Sequence, residues 1–93
     1  MPNDQAATKK RPLVLMNGRW GRDTRHHIYI AAHSMHDAAK MLQEYCPMNK
    51  TSWYYEIKKY FNIGSWGRVM DGIKIERGAW EHDVRESAPR RIV

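Results

Sequence analysis

The sequence has a single cysteine and no apolar run long enough to cross a membrane. One cysteine cannot form an internal disulfide, which is typical of proteins that fold in a reducing compartment. A membrane-spanning helix needs about 20 consecutive apolar residues, and a secretory signal needs a continuous apolar core near the N-terminus. Because neither is found, we expect a cytoplasmic protein with no membrane partner.

Motifs for catalysis and for cofactor binding are also missing. There is no phosphate-binding glycine loop, no H-E-x-x-H and no cysteine pair. The spacings of His26-His27 and His33-x-x-His36 fit no common metal site, and neighbouring residues of a strand point to opposite faces. Ser34 is the nearest candidate nucleophile, but a serine at a helix N-cap accepts from backbone N–H groups. We therefore predict a protein that is not an enzyme and holds no cofactor or metal.

Positive charge exceeds negative charge by a modest margin. The chain has 16 Lys and Arg against 10 Asp and Glu, a net charge of +6. The excess lies in residues 1–25 and 50–77, while residues 78–93 balance. An anionic partner is therefore expected, either a nucleic acid or an acidic protein surface.

The stretch from Ile28 to Tyr45 changes its hydrophobic period from two to about 3.5, which predicts a strand followed by a helix. Ser34 can cap this helix, and Asp37 can reach back to a free N–H group of the first turn. Cys46-Pro47 ends it, because the residue before proline avoids the α region. The predicted apolar face of the helix comprises Met35, Ala38, Ala39, Leu42 and Tyr45.

Two interpretations exist for the chain before Ile28. Asn17-Gly18 is a strong hairpin dipeptide and could turn the chain directly after a strand at Leu13–Met16. Alternatively, the first strand continues through Trp20 with a bulge at Gly18, and the turn lies at Gly21–Thr24. We favour the second interpretation, because it gives two strands of similar length.

After the helix, alternation and aromatic content predict a strand at Thr51–Ile63, which fits the pattern better than a helix does. Trp66–Met70 is either a short strand or an irregular crossing. Further strands are predicted at Ile73–Glu76 and Ala79–His82.

The predicted fold class is therefore α+β, with one helix packed on an antiparallel sheet of four or five strands. Its order is strand-strand-helix-strand-strand-strand. Residues 1–11 are predicted to be a flexible basic arm, 12–84 a single domain and 85–93 a frayed tail. The sheet face away from the helix should stay open to solvent, and it would carry Tyr29, Tyr54, Glu56, Lys58, Tyr60, Lys74 and Glu76.

Cations and aromatic residues are the candidate partner-binding residues, since lysine and arginine neutralise phosphates and aromatic rings stack on bases or anchor protein interfaces. No RNP motif, helix-turn-helix or basic recognition helix accompanies them. The candidates are Arg19, Trp20, Arg22, Arg25, Tyr54, Lys58, Lys59, Tyr60, Trp66, Arg68 and Lys74.

The tripeptide Trp-Gly-Arg occurs twice, at residues 20–22 and 66–68. It could present two matched partner contacts, or it could reflect tryptophans that pack at strand ends beside small residues; we favour the packing interpretation. If the contacts are functional, Trp66→Ala and Arg68→Ala should weaken binding with little change in melting temperature.

The I-x-I-A-A strand at residues 28–32, the serine-capped, alanine-rich helix and the aromatic segments after it resemble small phage and mobile-element proteins of the anti-CRISPR type. The resemblance covers Leu13 to His82 and concerns architecture, so it assigns no site residue. It implies a rigid, non-catalytic inhibitor that binds a host protein or nucleoprotein complex in the host cytoplasm. Such an inhibitor covers a nucleic-acid channel or blocks a recruited subunit. The alternative function is a basic and aromatic module that binds DNA or RNA directly.

Overall fold

The structure is a computed structural model that describes residues 12–19, 26–49 and 51–93. It confirms the α+β class, with two helices and an antiparallel sheet of five strands. The basic arm predicted for residues 1–11 lies outside the described part of the chain.

In chain order, the elements are β1 (Val14–Arg19), β2 (His26–Ala32), α1 (Met35–Tyr45), α2 (Trp53–Tyr60), β3 (Asn62–Ile63), a 3-10 turn (Arg68–Met70), β4 (Gly78–Asp83) and β5 (Arg90–Arg91). In the sheet, the strands lie in the order β3-β1-β2-β4-β5, so β2 is central.

Strands β1 and β2 pair without interruption, so Asn17-Gly18 is not a turn. The register runs one to one from Val14 opposite Ala32 to Arg19 opposite His27. This confirms the interpretation in which the first strand continues past Gly18, but the bulge expected at Gly18 is not formed. Trp20 and the predicted turn at Gly21–Thr24 lie outside the described residues.

Helix α1 begins and ends where the sequence predicts. The Ser34 hydroxyl accepts a hydrogen bond from the Asp37 N–H at 3.0 Å. The Asp37 carboxylate accepts one from the His33 N–H at 3.0 Å, which satisfies a second free donor at this end. The buried face includes Met41, 3% exposed, which the predicted face omitted, while Tyr45 is 38% exposed.

The strand predicted for Thr51–Ile63 is wrong, because most of this stretch forms helix α2 and only Asn62–Ile63 pair as β3. The Ser52 hydroxyl caps the helix by accepting from the Tyr55 N–H at 3.3 Å. Trp53, Ile57 and Phe61 are 1%, 1% and 8% exposed. A spacing of four residues places these three side chains on one helix face, whereas a strand would also have buried Tyr55. In the part of the chain that the structure describes, the sheet therefore carries two helices rather than the predicted one.

The sheet face opposite the helices is partly covered, which corrects the prediction of an open face. Trp66, Met70 and Ile73 pack there against Tyr29 and Trp80. Tyr29 and Trp80 are only 8% and 5% exposed as a result. The chain reaches this face by an irregular crossing with a 3-10 turn, and the strand predicted for residues 73–76 is not formed.

The other residues expected on that open face lie elsewhere. Tyr54, Glu56, Lys58 and Tyr60 belong to α2, while Lys74 and Glu76 belong to the irregular segment before β4.

The C-terminal residues pair with the sheet, so the frayed tail predicted for residues 85–93 is wrong for its last four residues. The strand predicted at Ala79–His82 lies within β4, and Arg90–Arg91 form β5 beside it. The Ile92 N–H donates to the Ala79 carbonyl at 2.9 Å. Ile92 and Val93 then pack against the main core.

We expect Gly18→Ala to destabilise the protein, because Phe61 lies directly over this strand position. A Cβ atom at residue 18 would lie 2.7 Å from Cγ of Phe61 and 2.9 Å from its backbone Cα. Forcing the ring and its backbone away should lower the free energy of unfolding by about 1–3 kcal/mol. Urea denaturation measures this change.

Gly67→Ala is the matched control for this prediction. Apart from residue 67 and its two chain neighbours, no atom of the described residues lies within 4 Å of a Cβ at residue 67, and its φ of −83° suits alanine. Its urea midpoint should stay equal to that of the original protein or rise slightly. Equal midpoints for Gly18→Ala and Gly67→Ala would show that the Phe61 contact does not constrain residue 18.

Candidate binding surface

The candidate binding residues do not form one surface. Trp20, Arg22 and Arg25 lie outside the described residues. Tyr54, Lys58, Lys59 and Tyr60 lie on α2, which packs on one face of the sheet through the core formed by Trp53 and Ile57. Trp66, Arg68 and Lys74 belong to the segment that crosses the other face. Arg19 ends β1.

Helix α2 presents a cationic and aromatic surface, formed by Tyr55, Lys58, Lys59 and Tyr60 and called the α2 surface below. Tyr55 and Tyr60 are 52% and 55% exposed. The Lys59 amine lies 5.6 Å from the Tyr55 ring centroid and 5.3 Å from that of Tyr60. A hydrogen bond to Tyr60 raises the pKa of Lys59. The sequence prediction missed Tyr55, because it assigned Tyr55 to the buried row of a strand.

Tyr54 is oriented toward α1 rather than toward solvent. Its ring stacks on His36 with 4.2 Å between centroids and 17° between planes. Half-buried in this position, Tyr54 joins the two helices. It is therefore less available to a partner than the exposed Tyr55 and Tyr60.

Trp66 makes internal contacts that the sequence did not indicate. Its indole N–H lies 3.1 Å from the carbonyl oxygens of both Met16 and Ile30 and donates to them. Its ring meets Tyr29 and Trp80 edge-on, at centroid distances of 6.3 and 5.3 Å. The packing interpretation of the second Trp-Gly-Arg sequence therefore describes Trp66, while the side chain of Arg68 is exposed.

An open cleft lies where β1 ends and β2 begins. Its volume is about 400 Å³, and the described residues that line it are Gly18, Arg19, His27, Tyr60 and Asn62. These residues come from β1, β2, the last position of α2, and β3. We call it the sheet-end cleft. Tyr60 belongs to both this cleft and the α2 surface, so the two are continuous.

His27 lies at the centre of the polar groups around the sheet-end cleft. Its Nε2 atom is 3.0 Å from Oδ1 of Asn17. Its ring lies 4.8 Å from the Tyr29 ring, centroid to centroid. In the register, His27 is opposite Arg19 on one side and His82 on the other. Burial, followed by the nearby positive charge of Arg19 and the proximity of His82, lowers the pKa of His27.

Ion pairs divide the cations into two groups. Arginines of the C-terminal part are matched with acids at N–O distances from 2.5 to 3.2 Å, as Arg77–Asp37, Arg85–Asp83, Arg90–Glu81 and Arg91–Glu76. The five described candidate cations form no ion pair with any acid that the structure describes; they are Arg19, Lys58, Lys59, Arg68 and Lys74. Lys40 on α1 also forms no ion pair with a described acid. Most of the described positive charge without an acidic partner therefore lies on candidate binding residues.

A second cleft lies under the crossing segment and differs in character from the sheet-end cleft. It measures 280 Å³, and its lining includes Leu15, Trp66, Met70, Ile73 and Ile75. These side chains are mainly apolar, and Ile75 is 54% exposed. This cleft adjoins Trp66 and so belongs with the covered face of the sheet.

Within the described ranges, no group of three or more His, Cys, Asp or Glu residues could hold a metal ion. The Ser34 oxygen is engaged at the N-cap of α1, and His26 lies 3.1 Å from the Asp83 carboxylate. No helix in the described part of the chain is long and apolar enough to cross a membrane.

Comparison of the chain with protein-family models, with curated proteins and with solved structures finds no match in any of the three. Function is therefore inferred from the geometry and charge of the α2 surface and the sheet-end cleft.

Proposed function

We propose that this protein is a small non-catalytic binding protein that inhibits a host nucleoprotein defence complex by covering one of its surfaces. The observation that carries the proposal is the α2 surface, where two tyrosines more than half exposed lie within 5.6 Å of the Lys59 amine. Contiguous exposed aromatic groups mark interaction surfaces, and tyrosine is enriched among the residues that dominate binding energy.

Charge supports an anionic contact surface on the partner. Arg19 and the lysines of the α2 surface form no ion pair with a described acid. Their positive charge therefore attracts an acidic protein surface or exposed phosphates, which increases the association rate. A nucleoprotein complex offers both kinds of anion. An inhibitor of this kind is what the resemblance to phage and mobile-element proteins of the anti-CRISPR type implies, and it would act in the host cytoplasm.

Tyr55→Ala combined with Lys59→Gln should weaken partner binding by about tenfold or more, since each interface anchor typically contributes at least 1 kcal/mol. Both side chains are exposed, so the melting temperature should change little. The partner is captured from host lysate and identified, and the complex is then rebuilt from purified components. Titration calorimetry measures its affinity and stoichiometry.

Lys40→Gln is the control, because Lys40 is exposed on α1 and is not a candidate binding residue. It removes one positive charge and should leave affinity unchanged. Equal affinity of the double variant and the original protein for the purified partner would exclude the α2 surface as the docking site.

A second candidate function, direct nucleic-acid binding, is favoured by one specific observation. Tyr60 lines the sheet-end cleft together with Arg19 and His27, which combines an aromatic residue with a cationic side chain and an imidazole. Proteins that bind single strands use this combination. Loss of lysate capture after nuclease treatment would favour this function over protein docking.

A further inference from the structure

Residues from three strands line the sheet-end cleft. Arg19 comes from β1, His27 from β2 and Asn62 from β3. The side chains of all three can donate hydrogen bonds, and no carboxylate is among the described residues that line the cleft. Hydrogen-bond donors that have no carboxylate beside them favour an anionic ligand. The arginine guanidinium in particular can donate two parallel hydrogen bonds to the oxygens of one phosphate or carboxylate.

The remaining wall of the cleft distinguishes between these anions. Tyr60 supplies an aromatic ring that is 55% exposed. An aspartate or glutamate side chain would leave this ring unused, whereas a nucleotide carries a phosphate and a flat base joined by a sugar. The 400 Å³ volume lies within the range of about 300–1,000 Å³ that small-molecule sites occupy.

We propose that the sheet-end cleft binds one nucleotide of a single-stranded nucleic acid, with its phosphate at Arg19 and His27 and its base against Tyr60. This assignment rests on the second candidate function, nucleic-acid binding, and does not require protein docking by Tyr55 and Lys59. Because Tyr60 also borders the α2 surface, the strand can continue from the cleft toward Lys59.

His27 makes this binding depend on pH. Since the Asn17 amide oxygen at 3.0 Å accepts a hydrogen bond from Nε2, the proton gained on acidification goes to Nδ1. The charged or titratable groups that face His27 are Arg19 on β1, His82 on β4, Tyr29 on its own strand and Tyr60 across the cleft.

Arg19 and His82 contribute, after burial, to the lowered pKa of His27, and therefore disfavour its charged form in the free protein. A bound phosphate offsets this repulsion and raises the pKa of His27 again, so phosphate binding is coupled to uptake of a proton. Affinity should consequently rise as the pH falls below about 6.5, the ordinary histidine value, because the pKa of His27 in the free protein lies beneath it.

Fluorescence anisotropy with a short labelled oligothymidylate, at fixed ionic strength and several pH values, tests the proposal. Arg19→Gln should weaken binding about tenfold. It should also reduce the slope of log affinity against log salt concentration by about one, because one counterion fewer is released. Tyr60→Leu should weaken it about tenfold, and Tyr60→Phe should restore it, since the ring provides the stacking. His27→Gln should flatten the pH profile. Lys40→Gln, remote in sequence and on α1, is the charge control and should behave as the original protein.

Three outcomes would overturn the proposal: affinity unaffected by Arg19→Gln and Tyr60→Leu, a pH profile retained in His27→Gln, or equally strong displacement of the oligothymidylate by an oligoglutamate peptide. The last result would assign the cleft to protein carboxylates. Failure here remains distinguishable from failure of the proposed inhibitor function. Nuclease-resistant capture of a host protein that is lost with Tyr55→Ala and Lys59→Gln would still support docking through the α2 surface.

Discussion

Trp53→Ala is expected to lower the free energy of unfolding by about 3–5 kcal/mol, the range typical for deleting a large buried aromatic side chain. Trp53 is 1% exposed and belongs to the main core that α1, α2 and the sheet share. Its indole N–H donates to the Cys46 carbonyl at 2.8 Å, at the end of α1. The substitution therefore removes both a large packed volume and a hydrogen bond between the two helices. Urea denaturation followed by far-UV circular dichroism measures the loss.

Two variants separate the causes of this effect. Trp53→Phe keeps an aromatic ring but lacks the N–H donor. Its free energy of unfolding should therefore lie between those of Trp53→Ala and the original protein. Tyr55→Ala changes the exposed face of the same helix and should shift stability by no more than about 0.5 kcal/mol. Equal losses in Trp53→Ala and Tyr55→Ala would contradict the assignment of α2 as a helix with its Trp53 face buried.

Helix α1 could be predicted because its signals are local. A capping serine, an acid in the first turn, a period near 3.6 and a final proline all lie within 14 residues, 34–47, and agree with each other. The outcome for α2 was different because Trp53, Ile57 and Phe61 fit both a strand and a helix. Aromatic content favours the strand, whereas the local signal that favours the helix is a single residue, the N-cap Ser52.

The binding residues could be predicted by type but not by grouping. Charge and aromatic type alone indicate Lys58, Lys59 and Tyr60, which α2 exposes, although the sequence pattern predicts a strand there and omits Tyr55. Long-range pairing decided the rest: His27 reaches its central position only through the register with Arg19 and His82. Asn62 joins the cleft through a two-residue strand that pairs with β1. No local pattern in the sequence reports either arrangement.

Pairing across the sheet also determines which charges remain available. The sequence already indicates balanced charge in residues 78–93. The structure shows how part of this balance arises, since Arg90 on β5 lies opposite Glu81 on β4 and bonds to it at 3.2 Å. Exposed pairs of this kind add little stability. Their larger effect is that the uncompensated positive charge of the described residues lies mostly on the α2 surface, at Arg19 and on the crossing segment, with Lys40 on α1 as the further case.

Trp66→Ala is expected to lower the free energy of unfolding by about 2–4 kcal/mol, slightly less than for a fully buried tryptophan. The substitution removes the ring that packs between Tyr29 and Trp80 and the N–H that donates to Met16 and Ile30. These contacts join residues 36 and 50 positions apart, so their loss should detach the crossing segment from the sheet. Thermal and urea unfolding measure the change.

Arg68→Ala, two residues further on, is the matched comparison because its side chain is exposed and forms no ion pair with a described acid. Its melting temperature should stay close to that of the original protein, and any loss of partner affinity then reports a direct contact. For Trp66→Ala, affinity should be measured well below its melting temperature, where the folded form predominates. An unchanged melting temperature with weakened binding would place Trp66 at the interface and remove it from the packing of the second sheet face.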